Sequence, residues 1–124
     1  VDLPAGLSLG VAYAAEEQRS WTGLTTRWEM FGPGFLVSPD HPLVRAAVGA
    51  VRSATGTEPA ARPWAFATDG RHTCGEHGIP TLGYAPGDES QAHTNTERLE
   101  LAGARRAYDA YPALVNALFD ALAP

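Results

Sequence analysis

The sequence is short of three things: cysteine, basic charge and long apolar runs. A single cysteine, Cys74, excludes an internal disulfide and suits a reducing compartment. Nine Lys plus Arg against fourteen Asp plus Glu leave a net charge of -5, and no cluster of basic residues offers nucleic acid or an anionic membrane a footprint. Small molecules or other proteins are the expected partners. No stretch approaches the roughly 18 apolar residues of a membrane span, and the opening VDLPAGLSLG lacks the basic start and apolar centre of a signal peptide. A cytoplasmic protein is expected. What is present is a globular composition, 44% hydrophobic and 19% charged over 124 residues, enough for one ordinary core.

Along the chain, Leu7, Leu9, Val11 and Tyr13 alternate with smaller or more polar residues, the period-two mark of a half-buried strand. SWTGLTTRWEM could continue that strand or pair with it. FGPGFLVSPDHP then reads as a connection between units, because Gly32, Pro33, Gly34, Pro39 and Pro42 punctuate it. The boundary is expected within residues 31–40, dividing the chain into 1–35 and 36–124.

Beyond it the pattern is regular. Asp40 can cap a helix whose first turn holds Pro42, whose apolar face is Val44, Ala47, Val48 and Val51, and which Gly56 ends. RPWAFATDG is a short strand signal with Trp64 and Phe66. A brief helix through 71–77 would stop at Gly78, and IPTLGYA reads as a central strand, apolar at most positions. In the last helix Leu101, Ala104, Tyr108, Tyr111, Val115, Leu118 and Leu122 step by three and four, one face for a sheet, with Pro112 expected to kink or split it. Helix, strand, helix, strand, helix is part of an α/β layered sheet, with ligands expected at the carboxyl ends of its strands. TDGRH and APGDESQAH fall at such ends.

Those loops carry the candidate chemistry. His93 on a loop is either a solvated residue or a ligand, and it needs partners to be the second. Gly87 lets backbone come close to a ligand and leaves N–H groups pointing into a crevice, although a plain reverse turn would read the same way. Arg71 offers a planar fork for a carboxylate, or ties its turn down by pairing with Asp69 or Glu76. Asp88, Glu89 and Glu97 flank His93 and could orient it, or only keep the loop soluble. In HTCGEH, His72, Cys74 and His77 have spacings a soft metal could use, but on an α-helix the two histidines stand about 140° apart around the axis.

Four stretches in order, ATDGR, HGIPTLGY, APGD and AHTNTE, resemble the co-catalytic zinc metallopeptidase family of aminoacylase, acetylornithine deacetylase, succinyl-diaminopimelate desuccinylase and glutamate carboxypeptidase. The likeness runs from residue 64 to about 120. SWTGL to DHPLV resembles the strand and crossover by which that family's lid or dimerisation domain returns to the catalytic domain. The resemblance implies the C-terminal portion of a layered α/β catalytic domain, preceded by a strand remnant of the lid. It implies that His93 is the last ligand of a two-zinc site, with cobalt as a possible substitute, and that Arg71, Gly87 and Asp88 contact the substrate. Ala85 stands where the family has the first glycine of its loop, and Thr96 where asparagine precedes Glu97.

The other zinc ligands and the glutamate general base of that family lie upstream of the residues matched here, so no catalytic residue is expected in this chain. Three readings follow. The chain is part of a dizinc hydrolase of N-acyl amino acids or small peptides, inactive without a complementing N-terminal chain. Or it is a non-catalytic module for protein binding or self-association. Or His72, Cys74 and His77 make an independent metal site. A carboxylate-bearing small molecule is the expected substrate in the first.

Overall fold

A computed structural model describes residues 2–123, which form two units, one ending at Pro33 and the other starting at Gly34. In the first, strands β1 (Ala15–Arg19) and β2 (Thr25–Glu29) pair antiparallel, Arg19 opposite Thr25 and Ala15 opposite Glu29. The turn between them sets this register. Gly23 has φ 90 and donates its N–H to the Ser20 carbonyl, and Ser20 in turn donates to the Leu24 carbonyl. Two strands closed by a tight turn find each other locally. The alternating segment 7–13, expected to be the strand, is instead unpaired, with Val11 90% exposed. The hairpin's bonding runs out one residue beyond the Ala15–Glu29 pair, where the Met30 N–H meets the Ala14 carbonyl; the Tyr13 and Phe31 rings still touch, centroids 4.3 Å apart.

The second unit is held by two helices. In α1 (Pro42–Thr55), proline occupies the first turn where no N–H is needed, and Gly56 closes the helix at φ 70, its N–H on the Arg52 carbonyl. The N-cap is His41 rather than Asp40: its Nδ1 accepts the Leu43 N–H at 3.2 Å, while the Asp40 carbonyl receives the Arg45 guanidinium. The last helix, α2 (Leu101–Leu122), runs unbroken through Pro112. Proline removes one N–H and frees the Tyr108 carbonyl, and Tyr108 is 73% exposed, so water can take up that acceptor.

The core lies between these helices. Leu43, Val44, Ala50 and Val51 of α1 and Ala107, Ala110 and Leu114 of α2 are its buried apolar residues. Alanines at 50, 107 and 110 let the backbones approach, and the larger side chains fill the remainder. Of the face expected to pack, Leu101, Tyr108, Val115 and Leu122 are exposed, Ala104 and Leu118 are half-buried, and Tyr111 packs on Tyr84.

Neither expected strand of this unit forms. Residues 64–67 and 79–85 are extended or bent but unpaired, and the hairpin is the sheet among the described residues. A strand exists only against a hydrogen-bonding neighbour, and no stretch of this unit supplies one. The family's layered sheet is therefore not formed by these residues.

Candidate functional site

Gly70 is buried, and a Cβ there would run into the ring of Phe35. A single turn of π-helix, Arg71–Glu76, starts against that contact, with the His77 N–H reaching the His72 carbonyl at 3.1 Å. The turn points Arg71 at its neighbour. Its Nε–H donates to His72 Nε2 at 3.1 Å, and His72 Nδ1–H donates to Glu76 at 3.0 Å. Arg71 thus forms neither of the carboxylate pairings considered for it. The hydrogen bond from His72 holds the Glu76 carboxyl below its ordinary range.

Residues 79–84 are tied at both ends. The Ile79 N–H bonds to the Thr73 carbonyl, Thr73 and Thr81 share a hydroxyl hydrogen bond, and Tyr111 donates its O–H to the Tyr84 carbonyl at 2.7 Å. The Tyr84 and Tyr111 rings meet edge to face, centroids 5.5 Å apart. This anchors the Ala85–Asp88 loop beside α2. Gly87 sits at φ 125, open to glycine and strained for other residues, with Leu99 Cδ1 3.8 Å from where a Cβ would stand. Gly87→Ala should cost on the order of 1–2 kcal/mol in urea denaturation, from backbone strain alone.

Asp88 has a structural task. One carboxylate oxygen accepts the Ser90 N–H at 3.0 Å and hydroxyl at 2.7 Å, and the other accepts the Gln91 amide at 3.3 Å, capping the 3-10 turn Glu89–Gln91. The Ser90 hydroxyl, then the Ser90 N–H, hold its carboxyl below the ordinary 3.8. A depressed pKa in the folded state means that the cap contributes fully above the unfolded value and is lost as pH falls through the lower folded value. The Ser90 amide resonance should therefore titrate with a midpoint below 3.8, and Asp88→Asn should abolish that titration.

His93 is exposed and lies at φ 62, left-handed for a residue with a side chain. Its N–H goes to Glu97 Oε2 at 3.0 Å, and its ring stands edge to face with Phe66, centroids 5.3 Å apart. Glu97 thus holds the backbone of His93, not its ring. Glu89 turns away to accept the Ala65 N–H and pair with Arg62.

A cleft of about 580 Å³ joins part of these predictions: Gly87 and Asp88 line it, together with Tyr84, Arg98, Gly103 and Arg106, and neither Arg71 nor His93 does. In sequence Arg98 and Arg106 flank the start of α2 and resemble ordinary surface charge. The one available signal was Gly103 between them, a poor helix former near a helix start.

These residues do not fit a two-zinc centre by themselves. Among those described, no three His, Cys, Asp or Glu side chains gather as a metal site would require. His72, Cys74 and His77, the alternative metal site, are not gathered as such a group either. Their segment is π-helical, so the α-helical separation of the two histidines does not apply, but no cluster results.

A family profile described as peptidase family M20/M25/M40 matches residues 4–117. The uncharacterized protein YgeY of Escherichia coli K12 is 39% identical over 82 residues, 66% of this chain and 20% of YgeY. A Pyrococcus furiosus protein named as a LysW-lysine/LysW-ornithine hydrolase is 34% identical over 95 residues, 75% of this chain and 28% of that protein. The chain thus spans between a fifth and under a third of the length of these relatives. No solved structure matches it significantly. Among the described residues no helix is long and apolar enough to cross a membrane.

Proposed function

The chain belongs to peptidase family M20/M25/M40, and from that premise we propose that it forms part of a metallohydrolase cleaving the amide bond of an N-acyl amino acid or small peptide. Members of this family are generally metal-dependent, with zinc as the usual ion. The reading assigns His93 as one metal ligand and gives the remaining ligands and the general base to polypeptide outside these residues. Arg71 and the Ala85–Asp88 loop would hold a carboxylate-bearing substrate, which requires Arg71 to exchange its bond to His72 for that carboxylate. The reading needs polypeptide that supplies those ligands, in the same protein or as a complementing N-terminal chain; a homo-oligomer belongs to the self-associating alternative.

The observation that carries the proposal is the family match along 4–117, with the loop at Gly87 held open onto a cleft. Exposure of His93 supports it as well. An imidazole whose backbone is fixed to Glu97 and whose ring nitrogens carry no hydrogen bond among the described residues is available to a metal whose other ligands arrive from elsewhere.

The test is hydrolysis of N-acyl amino acids by the protein assembled with polypeptide supplying the missing ligands. There His93→Ala should lower kcat/KM by about 100-fold or more, since even groups that only support a ligand contribute 10–100-fold. Assembly without hydrolysis, unaffected by His93→Ala, would leave the chain as a non-catalytic binding or self-associating module.

A further inference from the structure

His72 holds two neighbours at once, and only one protonation state lets it hold both. Its Nε2 accepts the Arg71 Nε–H at 3.1 Å, so that nitrogen presents a lone pair and the ring proton sits on Nδ1, which donates to Glu76 at 3.0 Å. A second proton takes the Nε2 lone pair. Imidazolium is a donor at both nitrogens, and it faces the Arg71 guanidinium with like charge. The bond to Glu76 survives the change and becomes an ion pair, whereas the bond from Arg71 is lost.

The turn keeps the three residues together while the proton comes and goes. The His72 N–H bonds to the Asp69 carbonyl, the His77 N–H to the His72 carbonyl and the Ile79 N–H to the Thr73 carbonyl, and the Thr73 and Thr81 hydroxyls are joined. Gly70, buried against the ring of Phe35, fixes where the turn starts. The His72 and Glu76 side chains are partly exposed, so protons reach them from solvent. The charges acting on Glu76 are those of His72, His77 and Arg71, all in or beside this turn.

We infer that His72 is a positioning residue for Arg71 under proton control: neutral His72 keeps the guanidinium on the turn, and protonated His72 releases it to a carboxylate. The inference rests on the reading of Arg71 as the group that holds the substrate's carboxylate, and adds to it the exchange that this reading requires. Linkage makes the effect reciprocal. A carboxylate that draws Arg71 away also favours the second proton on His72.

NMR of the isotope-labelled chain from about pH 5 to 8, where imidazoles titrate, follows the Arg71 Nε–H and the His72 ring nitrogens, with and without N-acetylglycine, whose carboxylate stays ionised throughout. The Arg71 signal should move with the His72 midpoint. N-acetylglycine should bind at Arg71 about three- to tenfold more tightly at the acid end, the scale of one hydrogen bond that must be given up at the basic end. His72→Gln keeps an acceptor but cannot titrate, and should leave binding weak at every pH. His72→Leu offers no acceptor and should leave it tighter and equally independent of pH. His77→Gln should leave the Arg71 midpoint in place.

An Arg71 Nε–H indifferent to the His72 titration overturns the inference. Acid-strengthened binding that persists in His72→Gln also overturns it, and would assign the effect to the chain's general gain of positive charge. Absence of any carboxylate effect at Arg71 at both ends of the range overturns it together with the part given to Arg71 above. The hydrolase reading itself is decided by His93→Ala in the assembled protein, so the two fail separately.

Discussion

Leu114→Ala is expected to destabilise the second unit by about 2–5 kcal/mol, the usual cost of emptying a leucine site in a core. Among the described residues Leu114 is one of seven buried apolar side chains, shared between α1 and α2, and none of the seven is larger than leucine. Typical domains are stable by roughly 5–15 kcal/mol, so this single truncation would remove a large part of the total. Loss of a cooperative thermal transition in far-UV circular dichroism is the measurement. Phe119→Ser, on the outer side of the same helix and 70% exposed, should change stability by no more than ~0.5 kcal/mol. The reverse ranking would mean that α2 packs by its other face and that the helix pairing described above is wrong.

Metal content is the second large effect. After dialysis against zinc and then buffer, elemental analysis should give well below one zinc per chain. A structural or catalytic zinc takes three or four protein ligands, and the described residues gather no such group. His93 is one imidazole, and its nearest carboxylate, Glu97, already accepts the His93 N–H. His93→Ala should therefore leave the metal content of the chain by itself unchanged and, on the proposed hydrolase reading, abolish metal-dependent activity once the remaining ligands are supplied. One zinc or more per chain would mean either that copies pool ligands or that the His72–Cys74–His77 segment closes on a metal. Cys74→Ser separates these, since only the second loses metal with the thiol.

The helices were legible in sequence because their signals are local. Pro42 and Gly56 bracket α1 within one or two residues of its ends, and the apolar period of α2 predicts its whole length. The cap of α1 is not legible to the residue, because Asp40 and His41 can both accept a backbone N–H and only the path of the chain chooses between them. The strands were less legible. WAFA and IPTLGYA have strand composition, yet that composition states an appetite for a neighbour and not where the neighbour is. The hairpin shows the converse: AEEQR is polar and unremarkable, and it pairs because the Ser20–Leu24 turn folds it onto Thr25–Glu29.

The site divides in the same way. Gly87 was recognisable, since a loop needing φ above zero selects glycine, and its φ of 125 agrees. The roles of Arg71 and Asp88 depended on partners at hydrogen-bonding distance. His72 takes the first, and Ser90 with Gln91 takes the second. Arg98 and Arg106 needed the folded chain to be recognised as neighbours in one cleft.

By itself, then, the sequence determined the order and extent of the helices, the acidic and cysteine-poor character, and the family through motifs that keep their order. The tertiary structure decided which face of α2 is inside. Periodicity reveals that a helix has apolar stripes, and α2 has two: one of leucine, tyrosine and valine, the other rich in alanine. Which stripe meets α1 depends on how near the two backbones can come, and Ala107 and Ala110 permit the closer approach. The larger stripe is left exposed, with Leu101, Tyr108 and Leu122 each more than half accessible.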